Sequence, residues 1–268
     1  MRNAISLNII IYAAIIISFL AIGNAHAGLA ISPDRHILEL SAGEEKTIEY
    51  KVFNSGEDDV YITLDPKYWA RTDEEKKIDI NSWLIPKEGS FNLKAGGEKI
   101  LEIKIKAPDS INGELVTMVF FCYKEDPDSA LNIRNGYPVY LTIKGTQHYG
   151  AQISKVELDY QKTENENEGA DMRLAITIQN TGNVHINPNV EVVIKDKNNN
   201  EIKRLQAETV KNIFKNRGYR YDLTWANAGL EEGAIYTLEI GLQQDDKLQK
   251  LTKTSKFKLQ EGKIVMLE

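Results

Sequence analysis

The chain reads as an all-β protein: two tandem immunoglobulin-like β-sandwiches behind a signal peptide that is cleaved off. Three observations lead there. Short runs of alternating apolar and polar residues recur about every ten residues, and turn-forming clusters separate them. Helical periodicity is scarce. The length left after residue 27 suits two units of about 100 residues each rather than one.

The chain opens Met1-Arg2-Asn3 and continues through an apolar stretch to about Gly23, broken only by Ser6, Asn8 and Ser18, before Ala25-His26-Ala27. A basic start, an apolar middle and a small-x-small end make an export signal, so cleavage is expected after Ala27. An uncleaved anchor is the alternative, because the stretch approaches the roughly 20 apolar residues that span a bilayer. The small-x-small ending favours cleavage. Neither a lipidation cysteine nor a second long apolar run follows, so the expected product is soluble and periplasmic or secreted.

The first sandwich is expected over residues 28–147, with strands at 36–40, 46–53, 60–68, 99–107, 115–123 and 137–144. Residues that tolerate positive φ or fix a turn punctuate it: Asn54-Ser55-Gly56, Ala95-Gly96-Gly97, Asn112-Gly113, Asp126-Pro127-Asp128 and Arg134-Asn135-Gly136. Successive strand side chains point to opposite faces. Ile48, Tyr50 and Val52 should therefore share one face, as should Leu101, Ile103 and Ile105, with Glu49, Lys51, Glu102 and Lys104 in water. The pattern breaks across 146–152, which marks the junction. The second sandwich, 148–268, offers strands at 153–160, 172–180, 190–196, 219–225, 235–242 and 252–259, with Met172, Leu174, Ile176 and Ile178 on one face. The best helical candidate is 205–214, yet its Thr209 and Val210 suit a strand as well. With no helix between successive strands, a parallel α/β plan is excluded.

A net charge of −6 and a pI near 5.4 argue against nucleic acid as a partner, which needs a concentrated basic surface. Cys122 is the only cysteine, so no intrachain disulfide can form; inside the apolar run 115–123 it reads as a buried small residue. His26 leaves with the signal, and His36, His148 and His185 lack any metal-ligand spacing. The doubled acids Asp58-Asp59, Glu74-Glu75, Glu231-Glu232 and Asp245-Asp246 fall in turn-like segments among lysines, as solvated loops do. Ala95-Gly96-Gly97 precedes a strand rather than a helix, so it is no phosphate loop. No catalytic residue, metal or cofactor is expected, and the protein is read as a binding protein rather than an enzyme. Trp69, Trp83 and Trp225 read as packing residues.

A run of segments carries a resemblance: Ile31-Ser32-Pro33-Asp34-Arg35, Leu40-Ser41-Ala42-Gly43-Glu44, Val52-Phe53-Asn54-Ser55-Gly56, Trp83-Leu84-Ile85-Pro86 and Asn112-Gly113-Glu114 leading into Val119-Phe120-Phe121. On these, residues 29–145 resemble the N-terminal immunoglobulin-like domain of the PapD-like periplasmic pilus-assembly chaperones. Through Ile178-Gln179-Asn180-Thr181-Gly182-Asn183 the second half resembles generic bacterial immunoglobulin-like domains. The resemblance implies a periplasmic chaperone that holds an extracytoplasmic, pilin-like subunit by β-strand pairing. It further implies that Val139, Leu141 and Ile143 face the subunit while Arg35 and Lys144 clamp its terminal carboxylate. The same three apolar residues could equally fill their own core. Where the family continues with aromatic-Arg-Pro, this chain has Gly145-Thr146-Gln147-His148. The rival function is a structural or adhesive envelope module that binds wall polymer or another surface protein.

Overall fold

The structure is a computed structural model that describes residues 28–69, 78–124, 132–162, 169–208, 212–244 and 247–267. The expected export segment and cleavage site, Asp126-Pro127-Asp128, Glu74-Glu75 and Asp245-Asp246 lie outside these residues. The described chain is built of strands, with a single 3-10 turn at Ile80–Ser82. No helix among the described residues is long and apolar enough to cross a membrane.

Nine strands form the first sandwich: β1 (Leu29–Ser32), β2 (His36–Leu40), β3 (Glu45–Asn54), β4 (Val60–Tyr68), β5 (Leu84–Pro86), β6 (Ser90–Leu93), β7 (Glu98–Lys106), β8 (Glu114–Tyr123) and β9 (Ile133–Ile143). They make two sheets, of order β1-β3-β7-β5 and β2-β9-β8-β4-β6. Eight form the second: β10 (Ala151–Lys162), β11 (Ala170–Asn180), β12 (Asn189–Lys195), β13 (Glu201–Gln206), β14 (Gly218–Trp225), β15 (Ile235–Gln244), β16 (Leu248–Gln260) and β17 (Lys263–Leu267). Their sheets run β10-β11-β14 and β13-β12-β15-β16-β17.

Each sandwich closes over its own core. The alternation assigned from sequence sets the first one: Tyr50 pairs Leu101 and Ile48 pairs Ile103 across β3 and β7, and all four point inward and are buried. In the second, Met172, Leu174, Ile176 and Ile178 are buried at 1% exposure or less. Trp83 is the largest fully buried side chain; its indole Nε1–H donates to Tyr68 Oη at 3.1 Å, and that hydroxyl donates to the Ile78 carbonyl.

The two sandwiches share a buried amide corner. Asn54 donates to the carbonyls of Asp58 and Leu93 while its Oδ1 accepts from Gly56 N–H. Asn180 donates to the carbonyls of Val184 and Ile213 while its Oδ1 accepts from Gly182 N–H. Both residues are 1% exposed. Removing one partner of a buried hydrogen bond leaves the other unsatisfied at about 1–3 kcal/mol. Asn180→Ala is therefore expected to lower the unfolding free energy by about 2–3 kcal/mol in a denaturant titration, because two carbonyls and one N–H lose partners together.

Three sequence expectations need correction. Arg134-Asn135-Gly136 is not a turn but lies inside β9. A Cβ on Gly136 would stand 2.7 Å from Phe120 Cε1 and 2.8 Å from Met118 Cγ, so the glycine makes room for neighbours on β8. Cys122 is not a core residue; it sits half-buried on the outward face of β8, opposite Arg134. The helical candidate 205–214 is the end of β13 followed by a loop whose Ala207 and Ile213 reach the core, with residues 209–211 outside the described set.

Candidate strand-binding edge and interdomain cleft

The first sandwich is open along one seam. β1 pairs antiparallel with β3 in one sheet, and the chain then crosses to the other sheet at Pro33-Asp34-Arg35, where β2 pairs parallel with β9. That pairing covers only Val139 to Ile143 of β9. On the same side, residues 133–138 have no strand partner among the described residues, since β8 occupies their other side. The half-buried Ile133 and Tyr137 pack on the core from this edge. Beneath them lies an aromatic floor, with Tyr137 at 5.5 Å from Phe121 and 5.9 Å from Tyr50.

Val139, Leu141 and Ile143 take the other option that sequence left open. They are 0%, 0% and 1% exposed and fill the sandwich's own core, on the stretch of β9 that β2 covers. Arg35 and Lys144 are not brought together. The register puts Arg35 beside Pro138, one place before the His36–Val139 pair, whereas Lys144 follows the last residue of β9. At about 3.3 Å per residue they stand about 20 Å apart along the strand. Lys144 is exposed, and its N–H donates to the Leu40 carbonyl. Arg35 lies at the head of the open edge, its guanidinium 2.6 Å from the Asp34 carboxylate; the hydrogen bond and charge of Asp34 push its pKa up.

His36 lies half-buried beside it, its ring edge-on to Tyr50 with centroids 4.7 Å apart and its Nε2 3.2 Å from the Glu49 carbonyl. Burial pulls its pKa down, Lys46 adds to this and the Glu49 carbonyl opposes it. The folded chain thus binds this proton less well than the unfolded chain, whose His titrates near 6.5. The contribution of His36 is complete above about pH 6.5 and is lost as pH falls through that value toward the lower folded one. Stability is expected to fall between about pH 7 and 5.5, and His36→Gln is expected to flatten that decline in urea melts at the two pH values.

Sequence reasoning missed the cleft between the sandwiches. Tyr140, on the outward face of β9, is 3% exposed and accepts a hydrogen bond from Asn212 Nδ2 at 2.7 Å. Its ring meets Trp69 at 6.2 Å and His185 at 5.1 Å, and Phe214 closes on Trp69 at 5.2 Å. Burial raises the Tyr140 phenol pKa, Glu114 adds to the rise, and Arg35 and the Asn212 bond oppose it. Trp69 keeps 45% exposure, so it lines the cleft rather than filling a core.

Glu114, 5% exposed, joins the two sandwiches: its carboxylate lies 2.7 Å from His185 Nδ1 and accepts from His185 N–H at 3.1 Å. Beside it Asn183 O accepts from Glu114 N–H, Asn183 Nδ2 donates to Thr146 O and Asn183 Oδ1 accepts from His148 N–H. Gly113, at φ +83, permits this approach, since a Cβ there would lie 2.4 Å from Asn183 O. Sequence held one signal for the cleft: an aromatic at 140, an outward position of an otherwise alternating strand. Among the described residues no cluster of His, Cys, Asp and Glu could hold a metal ion.

No protein-family model matches the chain, and no curated protein does. Similar solved structures include a chain of a chaperone–tip adhesin complex for CFA/I fimbriae biogenesis, at 19% identity over 85% of this chain and 98% of that one, with a TM-score of 0.46. The class 5 fimbriae chaperone CfaA aligns at 18% identity over 85% and 98%, with a TM-score of 0.45. The CupB2 chaperone of Pseudomonas aeruginosa aligns at 12% identity over 84% and 98%, with a TM-score of 0.40. Identity to each of the three is below 20%.

Proposed function

We propose that this protein is a periplasmic chaperone-like binding protein, not an enzyme, that holds an extracytoplasmic, pilin-like subunit by β-strand pairing. The observation that carries the reading is the open edge of β9 at residues 133–138, which ends at Arg35. β2 runs parallel to β9, so a guest strand that extends the line of β2 and runs the same way finishes where β2 begins. Its backbone groups meet the free row of β9, which supplies affinity. Its terminal carboxylate meets the Arg35 guanidinium. Asp34 can give way at that guanidinium, because the pair is 45% and 74% exposed and water screens it.

On this reading the strand-facing apolar residues are Ile133 and Tyr137 rather than Val139, Leu141 and Ile143, and Lys144 is no part of the clamp. The test is a pull-down from envelope extract with the chain from Gly28 onward, beside Arg35→Glu and Lys144→Ala. Recovery of a small β-rich subunit by the parent and by Lys144→Ala, with at least a tenfold loss for Arg35→Glu, is the expected result. Equal recovery by all three, or recovery of wall polymer alone, would move the assignment to a structural envelope module.

A further inference from the structure

A basic face stands on the second sandwich, on strands that carry no residue of the seam or the cleft described above. Residues 247–263 carry six lysines against one glutamate, so a chain of net charge −6 concentrates net +5 in this short segment. Register decides where the lysines point. Lys256 and Lys258 pair with Thr237 and Ile235 on β15 and with Leu267 and Val265 on β17. Lys263 pairs Gln260, and Lys250, in the irregular stretch of β16 between the Leu251–Leu242 and Leu248–Gln244 pairs, is exposed beside them. Phe257 and Leu259, of the opposite parity, are buried, so these four lysines share the outward face.

None of the four has an ion-pair partner among the described residues. The acids of the same face are already engaged: Glu239 with Lys195 at 2.7 Å, and Glu191 and Glu201 with Arg204 at 2.5 Å. Beside the lysines stand exposed aliphatic side chains, Ile235 at 45% and Val265 at 38%, which flank Lys258 in register from both neighbouring strands. Uncompensated lysines around a small apolar ridge have the chemistry of a peripheral membrane contact. The cations meet anionic headgroups, and the aliphatic tips enter the boundary layer.

We propose that the outward face of β15, β16 and β17 docks on an anionic lipid surface, through Lys250, Lys256, Lys258 and Lys263 with Ile235 and Val265 as the apolar contact. Each lysine near such a surface strengthens binding by about fivefold, so losing three should weaken it roughly a hundredfold. The attraction is screened within a Debye length, so salt should weaken it too.

The experiment is vesicle co-sedimentation with the chain lacking residues 1–27, all of whose core residues lie downstream. The vesicles are phosphatidylcholine alone or with one third phosphatidylglycerol. Binding confined to anionic vesicles, falling as salt rises, lost in Lys250→Gln/Lys256→Gln/Lys258→Gln and kept in the matching triple arginine variant, is the expected result. Circular dichroism melts confirm that both variants fold. Equal binding to both vesicle types, or a glutamine variant that binds as the parent does, would overturn the proposal. Binding to a soluble anionic polysaccharide but not to anionic vesicles would overturn it in favour of a polymer partner.

Discussion

Trp83→Ala is expected to lower the unfolding free energy by about 3–5 kcal/mol, the range for removing a large aromatic from a core that cannot collapse around the gap. The indole is 1% exposed, so almost its whole surface is lost contact. Its backbone is held as well: Trp83 N–H donates to the Ile80 carbonyl and Trp83 O accepts from Lys106 N–H, so the loop cannot move in to fill the space. The substitution also strips Tyr68 Oη of its indole donor. Trp83→Phe should recover most of the packing but not that bond. Urea unfolding of the three proteins, followed by near-ultraviolet circular dichroism, measures both effects. A loss below 1 kcal/mol for Trp83→Ala would mean the indole is not the keystone of the first core.

Glu114→Ala is expected to separate the sandwiches. The carboxylate serves both the backbone N–H and the ring of His185, and truncating it leaves half-buried donors unsatisfied at a cost of about 1 kcal/mol, the low end for buried groups. The cost falls on the junction, because both cores lie elsewhere. Unfolding should pass from one transition to two, and small-angle scattering should report a larger radius of gyration. A Gly113→Ala variant provides an independent route to the same result, since its Cβ would collide with Asn183 O at a positive φ. A single transition and an unchanged radius for both variants would contradict this account of the cleft.

What sequence showed of this fold was its long strands. β3, β7 and β11 are nine or more residues long and alternate through most of their length, and burial of one face leaves the register little freedom. The short edge strands β1, β5, β6, β13 and β17 escaped notice because runs of three to six residues carry too few repeats to stand out. Gly136 misled for a different reason: a glycine needed for its missing side chain looks in sequence like one needed for a turn. Arg35 came only from the family resemblance, paired there with Lys144; which residues it meets depends on a parallel register between strands about 100 residues apart in sequence, which no local pattern carries. Glu114 and His185 were hidden in the same way, and Tyr140 signalled only an outward aromatic, since their meeting is set by the packing of one sandwich against the other.

The central claim is that residues 133–138 of β9 form a docking edge read from the end by Arg35. It is tested most directly by amide hydrogen exchange with a synthetic strand peptide of alternating valine and threonine, offered with a free C-terminal carboxylate and again as the amide. The account predicts at least tenfold slower exchange within residues 133–138 on adding the free acid, no change at 139–143, and weaker protection with the amidated peptide or with Arg35→Ala. Protection that appears elsewhere, or equally with both peptides and in the Arg35→Ala variant, would contradict it.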